Sequence, residues 1–107
     1  MTEPDHVVVL TTLPIDHDAS AFASRLVEEQ LAACVTVLGE VLSVYRWEGR
    51  VMSERERQLM IKTTAARMPA LTARMTELHP YDVPEILAMP VHRGLPAYLQ
   101  WVSEMTI

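Results

Sequence analysis

The stretch CVTVLGEVLSVYRWEGRVMSERERQLMIKTT, Cys34 to Thr64, decides the fold. Its first part, Cys34-Val35-Thr36-Val37-Leu38, is β-branched and apolar and reads as a strand. Gly39-Glu40 interrupts it as a bulge or bend, and Val41 to Trp47 continues extended. Glu48-Gly49 reads as a hairpin turn, with Gly49 supplying the positive φ that such turns need. The returning strand, Val51 to Thr64, begins polar at Ser53-Glu54-Arg55-Glu56-Arg57 and ends apolar at Leu59-Met60-Ile61. A hairpin of this length is expected to project beyond the sheet of so small a domain.

Upstream, His6 to Thr12 carries Val7-Val8-Val9-Leu10, a short apolar strand followed by Pro14. Asp16-His17-Asp18 offers a helix N-cap, and Phe22, Leu26, Val27 and Leu31 follow at helical spacing. They predict an amphipathic helix of about four turns. Downstream, Met68, Leu71, Met75 and Leu78 mark a second helix with Pro69 in its first turn and Pro80 at its end. Glu85 to Val91 reads as a further strand, and Leu95 to Met105 as a short terminal helix with Tyr98, Leu99 and Val102 facing inward. The order β-α-β-β-α-β plus one helix is the ferredoxin-like split βαβ arrangement, an α+β fold with helices on one sheet face. It occupies residues 1–107 as a single domain.

The strand runs Val7-Val8-Val9-Leu10, Val35-Thr36-Val37-Leu38 and Leu59-Met60-Ile61 are apolar at consecutive positions. Successive strand residues point to opposite faces, so both faces of the sheet are apolar. Two main helices and a short one do not cover both, and soluble monomers rarely leave such a patch open. Self-association about a symmetry axis is the expected remedy.

Composition narrows the function classes. Nine basic and fourteen acidic residues give a net charge of -5, without the basic stripe that nucleic acids require. No apolar run is long enough to span a bilayer, and no polybasic segment suggests membrane targeting. The single cysteine, Cys34, excludes an intrachain disulfide. Met1-Thr2-Glu3-Pro4-Asp5 is acidic and lacks the features of a secretory signal, so a cytoplasmic location is expected.

Two blocks carry residues that a core does not need: Tyr45-Arg46-Trp47-Glu48-Gly49 and His79-Pro80-Tyr81-Asp82-Val83-Pro84-Glu85. Aromatic rings, carboxylates and stiff backbone suit a lined pocket. Together with Leu31-Ala32-Ala33-Cys34-Val35 and Leu59-Met60-Ile61-Lys62-Thr63-Thr64, these blocks resemble the CutA family of divalent-cation tolerance proteins. The resemblance runs from about Val7 to the C-terminus, with the blocks in family order. It implies a ferredoxin-like fold assembled as a compact homotrimer, similar in architecture to PII signalling proteins. It also implies a link to copper and other divalent metal ions and no assigned enzymatic reaction. Arg50 stands where the family commonly has Lys, and Thr36 where Asn is common.

The expected ligand cleft lies between subunits and is lined by Tyr45, Trp47, Glu48, Lys62, Tyr81, Asp82 and Glu85. Lys62 is the one lysine of the chain; on an apolar strand it needs a carboxylate partner, with Glu48, Glu56, Asp82 and Glu85 as candidates. Cys34 offers a soft thiolate for copper(I) or zinc, and otherwise acts as a small buried hydrophobe. His79, stiffened by Pro80, is the best histidine ligand, and otherwise a helix C-terminal residue stabilised by the dipole. Glu54-Arg55-Glu56-Arg57 reads as an alternating salt-bridge ladder. Three function classes follow: a trimeric metal or small-ligand binder, a PII-like signalling or scaffold trimer, and an enzyme using Cys34 with His79 as nucleophile and base. No catalytic signature supports the last, so the chain is read as a non-enzyme.

Overall fold

The computed structural model describes residues 5–107. In chain order the elements are β1 (His6–Pro14), α1 (Ala19–Glu28), β2 (Cys34–Trp47), β3 (Arg50–Thr64), a 3-10 turn (Ala65–Arg67), α2 (Met68–Leu78), β4 (Leu87–Pro90) and α3 (Pro96–Met105). One antiparallel sheet has the strand order β2-β3-β1-β4, which is the split βαβ topology. The turn between β2 and β3 places Glu48 at φ 49° and Gly49 at φ 77°, the left-handed pair of a two-residue I′ hairpin.

Strand alternation divides the sheet. Val7, Val9, Thr11 and Leu13 of β1, and Leu59, Ile61 and Thr63 of β3, are buried on the side where α1 and α2 supply Phe22, Leu26, Leu71 and Met75. Asp18 caps α1, its Oδ1 accepting the Ala21 N–H at 2.9 Å. α1 is shorter than expected. Gln30 adopts φ 59° and ends the helix, and the Leu31 N–H then bonds the Leu26 carbonyl at 3.0 Å. Leu31 is therefore buried from the loop, while Val27 is turned outward.

Three sequence expectations need correction. First, α3 is not on the helix side. It packs against β1 and β3 from the second face, where His6 Nε2 and Ser103 Oγ meet at 2.9 Å. His6 lies opposite Thr64, on the face that also carries Val8 and Lys62. Second, α3 turns Leu99, Val102 and Thr106 inward, while Tyr98 is 41% exposed and stacks beside Trp101 at 5.6 Å. Third, β4 is confined to Leu87–Pro90, paired with Val7 to Leu10 of β1, and just beyond it the Val91 N–H bonds the His6 carbonyl at 3.0 Å.

α3 covers just the middle of the second face. Leu87 and Met89 of β4 remain exposed on that face, and Leu42, Val44 and Val51 are exposed on the opposite face of the hairpin. The overall extents of 44 × 31 × 24 Å show how far the hairpin reaches.

Candidate functional site

The bulge in β2 decides which side chains share a face. Val37 pairs with Leu59 but Glu40 pairs with Arg57, so β2 spends one residue more than β3 over this interval. Without it, strict alternation would put Tyr45 and Trp47 on the helix side. With it they lie on the second face, together with Glu54, Glu56, Thr36 and Lys62.

One cluster forms where the hairpin leaves the sheet. Glu56, opposite Pro14, is 6% exposed, and its Oε2 accepts the Tyr81 hydroxyl at 2.8 Å. The Tyr81 phenol is pushed well above its ordinary pKa, first by burial and then by donation to Glu56. Tyr45 is shifted upward as well, by desolvation and by the neighbouring Glu54 and Glu56 carboxylates. The sequence pattern hid Glu56. Its place in an alternating charged run suggested a solvated ladder, yet Arg55 pairs with Glu40 at 3.3 Å while Glu56 is enclosed. No residue type or spacing marks it, because its enclosure comes from Pro14 at the end of β1 and from the Tyr81 hydroxyl, both brought there by tertiary pairing.

His79 belongs to the same cluster. Its backbone N–H closes α2 on the Met75 carbonyl at 2.8 Å. Nε2 donates to the Thr12 carbonyl at 2.7 Å, which leaves Nδ1 to accept the Tyr81 N–H at 3.2 Å. Phe22 and Tyr81 flank the ring with centroids at 6.0 and 5.0 Å. Burial lowers the pKa of His79, and His17 lowers it further, while the Thr12 carbonyl and Glu56 oppose. Both ring nitrogens are engaged within the subunit, so the ring offers a metal no free lone pair in this arrangement.

The second cluster lies at the other end of β3. Cys34, Lys62, Val8 and Met89 form one cross-strand row. Lys62 Nζ donates to Thr36 Oγ1, and Cys34 Sγ lies 3.9 Å from the same hydroxyl. Among the described residues Lys62 pairs with no carboxylate, so the expected partner is replaced by Thr36. Six residues of strand separate Lys62 from Glu56, about 20 Å. Cys34 also lies beside Tyr98, whose phenol is shifted upward by burial and then by Cys34. Cys34 is half-buried and remote from His79: their levels on β1, Val8 and Thr12, are about 13 Å apart. The nucleophile–base pairing of Cys34 with His79 is thereby removed.

Glu48 stands exposed at the hairpin tip, and Asp82 and Glu85 are exposed in the loop after α2. Among the described residues no group of three His, Cys, Asp or Glu side chains is placed to hold a metal ion. A shallow groove of about 550 Å³ between α1 and β2 is lined by Ala23, Val27, Val35 and Val37 among others. It is on the helix side and includes none of the expected site residues.

The family model for the CutA1 divalent ion tolerance protein matches residues 7–105. The chain belongs to the CutA1 divalent ion tolerance family. A Thermus thermophilus relative, described as a divalent-cation tolerance protein CutA, is 46% identical over 92% of this chain and 96% of its own length. The solved Thermus thermophilus structure superposes with a TM-score of 0.91, covering 94% of this chain and 98% of that one. A CutA from Archaeoglobus fulgidus, described as periplasmic, is 31% identical with a TM-score of 0.90 over 95% of this chain and 99% of its own. A Nostoc CutA described as PII-like is 38% identical with a TM-score of 0.87 over 94% and 97% of the two chains. The CutA family is named for tolerance of divalent cations and not for a reaction.

Proposed function

We propose that the chain assembles as a homotrimer whose intersubunit cleft takes a divalent metal ion, copper among the candidates, or a small ligand. Surface supports the assembly. One chain exposes 6941 Å², whereas a compact monomer of 12.1 kDa would expose about 6000 Å². Its radius of gyration is 14.5 Å, against about 13 Å for a compact domain of this length. Leu42, Val44 and Val51 are each more than 60% exposed on the hairpin, a poor outcome for side chains of this type unless another surface covers them.

The observation that carries the cleft is a separation along one face. Tyr45, Glu54, Glu56 and Tyr81 gather at the root of the hairpin, Trp47 stands about 20 Å from Glu56 toward the tip, and Cys34, Thr36 and Lys62 gather about 20 Å from Glu56 in the other direction on the same side of the sheet. A second copy is needed to bring a lysine to the acidic, aromatic cluster. In this arrangement Tyr45, Trp47, Glu48, Tyr81, Asp82 and Glu85 of one copy face Lys62 of the next, with Cys34 as the soft donor. His79 joins as a metal ligand only by releasing Thr12 or Tyr81. The protein acts by binding in the cytoplasm and not by catalysis.

The PII-like description of the Nostoc relative favours a second reading, a signalling or scaffold trimer that presents a surface. Calorimetry of the assembled protein with copper(II), zinc(II) and small anions separates the two. Saturable heat that Lys62→Met or Cys34→Ser diminishes supports the cleft. No saturable heat with any of these probes leaves the scaffold.

A further inference from the structure

At the level of Glu56 the sheet narrows from three strands to two. β1 ends at Pro14, opposite Glu56. β2 shifts register just before, between Val37 and Glu40, and then continues beside β3 to the turn. From Leu42↔Arg55 to Trp47↔Arg50 the hairpin is a two-stranded arm with no third strand beside it among the described residues, and such ribbons hold their own shape poorly in water. Within one subunit the direction of the arm is therefore set by what ties its root to the body.

The side-chain tie at that root comes from one loop residue. Tyr81 donates its hydroxyl to Glu56 Oε2 and its N–H to His79 Nδ1, while His79 Nε2 donates to the carbonyl of Thr12. The arm is thus linked to β1 and to the end of α2 through a continuous run of hydrogen bonds. Glu56 is enclosed, and among the described residues it belongs to no ion pair. A carboxylate in that setting is costly unless it is hydrogen-bonded. With the phenol gone, the least costly relief is a swing of the arm that admits water to Glu56.

We propose that Tyr81 and Glu56 form a latch that sets the angle of the hairpin arm, so that the loop from His79 to Glu85 and the arm move as one unit. The latch holds Tyr45 and Trp47 in place on the second face, and it stands whether or not the cleft takes a ligand.

Amide hydrogen exchange on the assembled protein tests the latch, comparing arm residues 41–55 with sheet residues 7–11 and 59–63. Tyr81→Phe removes the hydroxyl alone and is expected to speed exchange in the arm about ten- to hundredfold, with the sheet within threefold of the parent. Tyr81→Phe/Glu56→Met lacks the latch but leaves no unpaired carboxylate, and its arm is expected to stay at least about tenfold faster than the parent's. Equal acceleration in arm and sheet, or none in the arm, overturns the latch. So does a double variant whose arm exchanges as in the parent, because the buried charge and not the bond would then govern the arm. If Tyr81→Phe does not fold, the double variant decides alone: a folded protein with a fast arm and a parental sheet supports the latch, and parental arm exchange, or failure of both variants to fold, overturns it.

Discussion

Replacing His79 distinguishes a structural rivet from a metal ligand. The ring is 7% exposed and bonds a carbonyl of Thr12, itself 9% exposed, at 2.7 Å. In His79→Ala that buried carbonyl loses its side-chain donor, at a cost of about 1–3 kcal/mol. The edge-on contact with Phe22 and the tilted contact with Tyr81 vanish too, each worth about 0.5–1.5 kcal/mol beyond area burial. The sum centres on about 4 kcal/mol, a large share of the 5–15 kcal/mol that holds a typical domain. Urea unfolding at fixed protein concentration reads it. With a slope of about 2 kcal/mol/M, the midpoint should fall by about 2 M with the slope unchanged. His79→Gln keeps a donor and should recover part of the loss. A loss below about 1 kcal/mol in His79→Ala would refute the rivet, and with abolished copper(II) binding it would make His79 a ligand.

Other outcomes follow from the same geometry. Burial holds the His79 pKa below 6.5, so the unfolded chain binds the proton first as pH falls. The stability from neutral His79 is complete above pH 6.5 and declines below it, by at most about 1.4 kcal/mol per pH unit. pH-dependent denaturation shows this, and His79→Gln should flatten it. Tyr81 carries the opposite sign. Its pKa lies above 10.0, so the unfolded chain ionises first and stability falls as pH rises past 10; Tyr81→Phe removes that share of the slope. Glu48 occupies φ 49° without being glycine, so Glu48→Asn, which suits a I′ turn, should raise stability by about 0.5–1 kcal/mol in thermal unfolding. Thr36→Val removes the acceptor of Lys62 on an exposed surface and should cost less than about 1 kcal/mol, since water replaces the hydroxyl.

What the sequence made legible was local. The Asp18 cap, Pro69 in the first turn of α2 and the Glu48-Gly49 turn act through their own backbone, and each was readable from residue type and spacing. The parity of the hairpin was not. A break at Gly39-Glu40 was visible, but whether it added one residue or none depended on the partner strand, and that choice decides which face Tyr45 and Trp47 occupy. The side chosen by α3 was hidden for a similar reason. A helix with apolar residues at Leu99 and Val102 packs on either face of a sheet apolar on both. Glu56 and Lys62 were misassigned because carboxylate–amine pairing is the default expectation for charges on a strand. The structure instead gives Glu56 a phenol and Lys62 a threonine, neighbours set by chain crossings and not by spacing.

The oligomeric mass tests most directly whether the uncovered second face and the exposed arm are interior surfaces. Light scattering or sedimentation equilibrium at low micromolar concentration should return three times 12.1 kDa, about 36 kDa, with no lighter species on dilution. A single well-behaved 12.1 kDa particle at that concentration would contradict it and leave the cleft without its second wall.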